Sequence, residues 1–423
     1  MNKLRHWQCY PYLVCIISGL FIFYKYLLQI SPSVMSSDLM RDFHLTGAGL
    51  GNLTASFLYT YFLMQIPSGM ILDQYNPRKV IVTTLVTSTV FTLVFARTSS
   101  VLTAGIARAG IGFTTAFAFN AYLKMVTVWV PPKHFAVMSG LGLTIAMLGA
   151  MGGEAPLGML VVNLGWRDAL VFVAGFGLVL ALLCGWLIKD KFLAVNENNE
   201  TKKPPAHKQI IAQLLDVIGQ RQNWILGLYC AFTFAPISAF GGLWGVPFLE
   251  QAYHLSRVTA AKNISFIYLG LAIGCPLLGW VSDYLNKRIS VMAIGTLVGL
   301  ICISSVIYLS ATLTPLMVAW LLFIFGLSMG VFLLCFAVAV EIQTTIFMAT
   351  LIAFINTLPS VFEAITEPLI GKILDLGWDG KLVDGARVFS INNFHVGLAV
   401  IPIYLVIALM LLMLAKGRQQ KFF

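Results

Sequence analysis

Charged residues are scarce in this sequence. They make up 10% of its 423 residues, whereas 59% are hydrophobic; a soluble domain has about 25% charged residues. The chain therefore lacks the polar residues that would cover a soluble fold of its length. Apolar runs of about 20 residues recur along it, each long enough to cross the hydrocarbon core of a bilayer as a helix. The sequence predicts a polytopic membrane protein embedded in a lipid bilayer.

Motifs of enzymes and of metal or cofactor sites are also missing. The sequence has no phosphate-binding loop, no nucleophile elbow and no His or Cys set with metal-ligand spacing. Its seven cysteines are scattered singly, almost all in apolar runs, as small apolar residues are. We therefore expect neither an enzyme nor a bound metal or cofactor. The net charge of +10 comes mainly from short loops between apolar runs, which indicates membrane topology and not a nucleic-acid partner.

Apolar runs separated by polar residues, Gly or Pro predict an all-α fold of twelve transmembrane spans. Their predicted limits are 11–35, 47–72, 79–96, 101–127, 135–162, 168–189, 223–249, 258–282, 289–310, 314–340, 346–373 and 393–415.

A polar segment, KDKFLAVNENNETKKPPAHKQ (189–209), separates the sixth span from the seventh. It predicts an N-terminal six-helix bundle (1–189), a cytoplasmic linker (190–222) and a C-terminal six-helix bundle (223–423). The segment IIAQLLDVIGQ (210–220) is compatible with a short helix lying flat on the membrane. Most lysines and arginines lie in the tails, the linker and the even-to-odd loops, so both termini are predicted to be cytoplasmic in a cell inner membrane.

Two similar stretches end the second and the eighth span. GMILDQYNPRKV (69–80) and GWVSDYLNKRIS (279–290) each have Gly, then Asp four residues later, then a basic pair. Equivalent positions in two six-span units indicate an internal repeat, an architecture in which transporters place their site between the halves.

On these stretches the sequence resembles the major facilitator superfamily, over nearly its whole length. RAGIGFTTAF (108–117), WVPPKHFAVMSGLGL (129–143), NLGWRDALVF (163–172) and EPLIGKILD (367–375) resemble further motifs of that family. The resemblance implies that the signature loops latch the halves on the cytoplasmic side, with gating roles for Gly69, Asp73, Arg78, Lys79, Gly279, Asp283 and Arg288. Gln74 and Asn76 depart from the family's usual Arg and Gly, which would weaken the latch.

The stretches QISPSVMSSDLMRDFHLTGAGLGNL (29–53) and YFLMQIPSGMILD (61–73) are similar to a bacterial branch of nutrient and amino-acid carriers of intracellular pathogens. That branch is distantly similar to a eukaryotic lysosomal carrier of dipeptides. Its members carry an acidic residue where this chain has Lys25, and a basic one where it has Gln29. The cargo of the branch is therefore not transferred to this chain.

Lys25 and Arg108 lie well inside predicted spans, where a charge costs about 2.5–3.5 kcal/mol and faces a cavity or a partner. Lys25 has Gln29 one turn later on the same face. Arg108 has the planar donor group that suits a carboxylate. Both are predicted to bind a solute carboxylate. The alternatives are a snorkelling or ion-paired Lys25 and an Arg108 that tethers two helices.

Three carboxylates oppose these cations: Glu154 in the fifth span, and Glu363 and Glu367 at i, i+4 in the eleventh. Two acidic groups so close favour a shared proton, as in a proton carrier. Proton coupling or recognition of a solute amine is predicted for these three residues. Buried salt bridges, and for Glu367 a structural turn before Pro368, are the alternatives. Further predicted substrate-binding residues near the middle of their spans are Tyr24, Asn120, Trp244 and Asn356.

Together these features predict a monomeric secondary transporter that imports a small carboxylate-bearing solute with protons by alternating access. The solute would be an amino acid, a short peptide or an organic acid. An exporter of a drug or metabolite, and a nutrient sensor that does not transport, are the alternative functions.

Overall fold

The computed structural model describes residues 10–131, 134–188, 217–342 and 348–414. In the first half, the helices are α1 (Tyr10–Ile30), α2 (Ser36–Asp42), α3 (Gly47–Gln74), α4 (Pro77–Arg97), α5 (Val101–Thr115), α6 (Phe117–Trp129), α7 (Phe135–Leu164) and α8 (Trp166–Leu187). A 3-10 segment, Ser31–Met35, joins α1 to α2, and α5 continues into α6 after Ala116. These helices form six membrane-crossing rods.

In the second half, the helices are α9 (Arg221–Ala239), α10 (Gly245–Tyr253), α11 (Arg257–Leu285), α12 (Arg288–Tyr308), α13 (Pro315–Met329), α14 (Leu334–Ile342), α15 (Met348–Leu376), α16 (Ile391–Leu398) and α17 (Val400–Leu414). A π-helical segment, Phe240–Trp244, joins α9 to α10, and a 3-10 segment, Gly330–Leu333, joins α13 to α14. A two-stranded antiparallel hairpin of β1 (Leu382–Val383) and β2 (Ala386–Arg387) follows α15; the sequence did not predict it.

Several helices begin where a Ser or Thr side chain can cap them. In each case the hydroxyl accepts a hydrogen bond from the backbone N–H three residues later, which satisfies a free donor of the first turn. The capping residues are Thr46, Ser100, Ser256, Thr314 and Ser390. Each lies in a short loop between two apolar runs, so local sequence decides where these spans start.

Within the described residues, ten helical spans are both long and apolar enough to cross a membrane. The rods formed by α3 and α15 have 28 and 29 residues and are also long enough to cross a membrane. They pack against each other across the two halves, as α7 and α11 do. The predicted domain boundaries stay a prediction, because residues 189–216 lie outside the described ranges. Most of the proposed surface helix at 210–220 lies outside them as well.

We call the membrane face at which α1 begins and α8 ends the terminal face; there the Tyr10 hydroxyl donates to the Leu187 carbonyl. The other side is the opposite face, where α3 begins and α15 ends. Along the side of α3 that meets α15, Gly51 and Leu58 are buried, whereas Gln65 is half-buried and the Asp73 side chain is 71% exposed. The two halves therefore meet at the opposite face, and a cleft between them widens toward the terminal face.

Candidate functional site

A chain of hydrogen bonds crosses between the halves near the middle of the membrane. Lys25 Nζ of α1 donates to Gln29 Oε1 at 2.5 Å, and Gln29 Nε2 donates to Glu363 Oε1 of α15 at 2.8 Å. The Ser238 hydroxyl of α9 also donates to Glu363. All four side chains are buried. Lys25 and Gln29 lie one turn apart on α1, and the Gln29 amide connects the Lys25 ammonium to the Glu363 carboxylate of the other half.

Aromatic rings cover the Lys25 ammonium. Nζ lies 3.5 Å from the centroid of the Tyr26 ring and 4.4 Å from that of Tyr61. Cation–π contacts of this kind stabilise a desolvated ammonium. Two aromatic rings and a carboxylate relayed through Gln29 therefore surround the Lys25 ammonium, which makes no direct ion pair with another described residue in this conformation.

Arg108 of α5 is fully buried and connects helices of the first half. Its NH1 group donates to the Leu28 carbonyl of α1 at 2.8 Å, and its guanidinium lies 5.2 Å from the Phe57 ring centroid. It is also within electrostatic reach of Glu367 across the halves, while its Nε has no hydrogen-bond partner among the described residues. In this conformation Arg108 tethers α1, the alternative that the sequence left open.

Glu154 of α7 is buried, and neither of its carboxylate oxygens accepts a hydrogen bond of normal geometry from the described residues. The Ser33 hydroxyl lies close to it and also makes no hydrogen bond of normal geometry with the described residues. The Tyr268 hydroxyl of α11, which has no hydrogen-bond partner in the described part of the chain, is within electrostatic reach of Glu154, Glu363 and Glu367. Unsatisfied buried polar groups are rare in folded proteins, so this cluster is suited to receive a ligand or a proton.

The other predicted substrate-binding residues lie outside this central chain. Tyr24 is buried within the first half, where its hydroxyl lies near Thr89. Asn120 joins α6 to α3 by donating to Gln65 O and Ser68 Oγ, also within the first half. These placements leave the substrate roles of Tyr24 and Asn120 as predictions without a described contact to Lys25 or Glu363.

Trp244 and Asn356 lie closer to the seam between the halves. Trp244 ends the π-helical segment, and its Nε1 donates to the backbone oxygen of Glu367 at 3.1 Å. Asn356 lies two turns before Glu363 on the same side of α15, toward the terminal face, and it is exposed. Asn356 therefore lies on the wall of the cleft, whereas Trp244 contacts the backbone of α15, the helix that carries Glu363 and Glu367.

The predicted gating residues make their described contacts within their own halves. Asp73 pairs with Lys124 at 2.6 Å, and Arg78 donates to the Gly185 carbonyl, while Lys79 is exposed. Arg288 pairs with Asp283 at 2.9 Å and with Glu341 at 2.5 Å.

The two signature glycines are not in close contact with another helix here. A Cβ at Gly69 would lie 3.9 Å from Asn120, and one at Gly279 would have no atom within 4 Å. The close approach that the family resemblance implies is therefore not made at either position in this conformation. A latch at the terminal face stays a prediction for another conformation.

At the opposite face, polar residues join the two halves. Both oxygens of Asp375 accept hydrogen bonds from the first amides of α3, and Arg387 of β2 pairs with Asp375 at 3.0 Å. Arg257 of α11 reaches across to Asp38 at 2.6 Å and to the Ser37 hydroxyl. No local sequence pattern predicts these contacts, nor the placement of Ser238, Tyr61 and Tyr268 near the central site, because aromatic and small polar residues are common in apolar runs.

The chain is similar to known proteins in both sequence and fold. The family model described as Major Facilitator Superfamily matches residues 14–362. The chain is 26% identical over 221 residues to the probable sulfoacetate transporter SauU of Cupriavidus necator, covering 52% of this chain and 47% of that protein. It is 25% identical over 314 residues to the probable galactarate/D-glucarate transporter GarP of Escherichia coli (strain K12), covering 66% of this chain and 68% of that protein. The aligned part thus spans about half the length of the first relative and about two thirds of the second.

The fold is similar to the crystal structure of a bacterial homologue of the human lysosomal transporter Spinster, in an inward-facing and occupied conformation. The TM-score is 0.79 at 19% sequence identity, covering 96% of this chain and 97% of that chain. This similarity and the helices described above confirm the predicted all-α membrane fold of twelve helices in two bundles.

Proposed function

The chain belongs to the Major Facilitator Superfamily, and we propose that it is a secondary transporter that moves a small organic acid by alternating access together with a proton. The names of both relatives refer to organic anions, which favours an organic acid over the amino acid or short peptide that the sequence also allowed. We further propose import across a cell inner membrane, with the terminal face toward the cytoplasm.

The balance of buried charge carries this proposal. Among the described residues, the buried charged side chains are the cations Lys25 and Arg108 and the carboxylates Glu154, Glu363 and Glu367. Each cation is matched by one carboxylate, since Lys25 reaches Glu363 through Gln29 and Arg108 is within electrostatic reach of Glu367. An ionised Glu154 without a partner would be strongly unfavourable at this depth. A neutral, protonated Glu154 leaves the interior with no net charge.

A solute carboxylate that enters this balanced site adds one negative charge. In the proposed mechanism it takes the position of Glu363 at the Gln29 amide and near Lys25. Glu363 is released from that role when it takes up a proton, after which Ser238 can accept a hydrogen bond from the protonated acid. One proton therefore enters with each carboxylate that the site binds, which is the stoichiometric basis of symport.

Uptake into proteoliposomes tests the proposal. Purified protein would be given labelled D-glucarate or sulfoacetate with the outside more acidic than the lumen, and a protonophore would collapse the gradient in a parallel sample. We expect accumulation above equilibrium that the protonophore abolishes. Binding without accumulation would indicate the sensor alternative, and accumulation only under the reversed gradient would indicate an exporter. No binding of either anion would contradict the organic-acid assignment.

A further inference from the structure

A membrane-facing groove runs along the seam between the two halves. It has a volume of about 520 Å³ and lies between α1, α7 and α11. Its walls are mainly apolar and include Phe23 of α1, Leu148 and Pro156 of α7, and Phe266 and Leu269 of α11. Because α7 and α11 belong to different halves, the groove exists only while these helices keep their present separation.

The groove opens toward lipid and not toward the central site. On α7, Leu148 is 49% exposed, whereas Glu154 points to the interior and is fully buried. On α11, the groove residues share a helical face with Trp280, which is 64% exposed. Phe23 lies on the side of α1 that faces away from Lys25, since the two are about 200° apart around the helix. An apolar hollow of this kind in a membrane surface is filled by a lipid chain.

One basic residue lies at the end of the groove nearest the opposite face. Lys262 lines it and is exposed, about 7.5 Å along α11 from Arg257 at the start of that helix. The acidic residues at this end of the helix, Asp38 and Glu250, both pair with Arg257. In the described part of the chain Lys262 has no ion pair. A lysine near the membrane surface attracts an anionic headgroup, with a gain of about fivefold in affinity per residue.

We propose that this groove binds one anionic phospholipid from the leaflet at the opposite face, with an acyl chain between α7 and α11 and its phosphate at Lys262. The site is separate from the central chain of Lys25, Gln29 and Glu363. Because its walls come from both halves, the bound lipid bridges them and stabilises the conformation that is closed at the opposite face.

Native mass spectrometry of the delipidated full chain tests the site with two probes, phosphatidylglycerol and the zwitterionic phosphatidylcholine. We expect one tightly retained phosphatidylglycerol per protein and much weaker retention of phosphatidylcholine. Lys262→Gln should weaken phosphatidylglycerol binding about fivefold. Ala155 of α7 also lines the groove, so Ala155→Phe, which places a ring there, should reduce retention of the same lipid without a change of charge.

Lys381→Gln is the matched control, because Lys381 is exposed, lies in the loop after α15 at the opposite face and loses the same charge. Its lipid binding should equal that of the wild type. Equal retention of both lipids by the wild type, or unchanged binding in Lys262→Gln, would overturn the proposal. A loss in Lys381→Gln as large as in Lys262→Gln would do so as well, since it would show unspecific attraction by surface charge. If Ala155→Phe does not fold, the two lysine variants still decide the question.

Discussion

Asp375, near the end of α15, caps the N-terminus of α3, which begins at Gly47. Its Oδ1 accepts the Gly47 N–H at 2.7 Å, and its Oδ2 accepts the Ala48 N–H at 2.8 Å. Capping side chains usually come from the residue that precedes the helix, which here is Thr46. The second cap, supplied by the other half of the protein, places a carboxylate at the positive end of a helix dipole. The first turn of α3 is therefore most stable when the opposite face is closed.

Removing this cap should open the opposite face. Asp375→Ala deletes two charge-assisted hydrogen bonds and leaves Arg387 unpaired, so we expect the closed conformation to lose about 1.5–3 kcal/mol, a shift of roughly tenfold to a hundredfold in population. Spin labels at Leu102→Cys and Leu316→Cys, exposed positions of the two halves at this face, would report a longer distance. Asp379→Ala, an exposed neighbour in the same loop, is the control. An unchanged distance distribution in Asp375→Ala would contradict the capping role.

A side chain at Gly51 should prevent closure by a steric route. A Cβ there would lie 2.6 Å from the Glu367 carbonyl oxygen and 2.6 Å from Pro368 Cα, and backbone atoms cannot move aside cheaply. We expect Gly51→Val to trap the protein open at the opposite face, with transport lost and the same pair of spin labels further apart. Gly175→Ala, where nothing lies within 4 Å of the added carbon, should transport normally. Wild-type uptake by Gly51→Val would show that α3 and α15 need not approach this closely.

Glu363→Gln should separate exchange from accumulation. The amide can still contact Gln29 and Ser238 but cannot take up a proton, so the variant should exchange labelled for unlabelled solute and fail to concentrate it under a proton gradient. Counterflow and gradient-driven uptake in proteoliposomes measure the two activities. The matched change at an exposed carboxylate, Asp168→Asn, should leave both unchanged. Accumulation by Glu363→Gln at the wild-type level would exclude Glu363 as the coupling residue.

Loss of Lys25 should affect solute binding, whereas loss of Arg108 should also lower the stability of the solute-free protein. Lys25→Met removes the cation beside Gln29, and we expect it to abolish the rise in melting temperature that an organic acid causes in the wild type by binding the folded state. Arg108→Ala also removes the tether to the Leu28 carbonyl, so it should lower the melting temperature of the solute-free protein by several degrees, a loss of about 1–3 kcal/mol. A solute-free Arg108→Ala as stable as the wild type would contradict the tether.

The sequence predicted those features that depend on neighbouring residues. Hydropathy located the twelve spans, and the spacing of Lys25 and Gln29 placed them correctly on one face of α1. Glu363 and Glu367 also share a face, and Glu367 lies within electrostatic reach of both Glu363 and Arg108; their role in proton coupling stays a prediction. Contacts such as those of Asp375 with Gly47, or of Arg257 with Asp38, join residues more than 200 positions apart, and no local pattern encodes them.

The polarity of α3 and α15 has a consequence for how the protein reaches the membrane. These two rods carry polar residues along their middle, among them Tyr61 and Gln65 in α3 and Glu363 and Glu367 in α15. Thr54 and Thr60 of α3, like Thr357 and Thr366 of α15, donate their hydroxyl protons to backbone carbonyls, which lowers the cost of burying them without removing it. During biosynthesis such helices partition poorly into lipid by themselves. They depend on neighbours that are already inserted, so the segments that serve transport are also those whose integration is most easily lost to mutation.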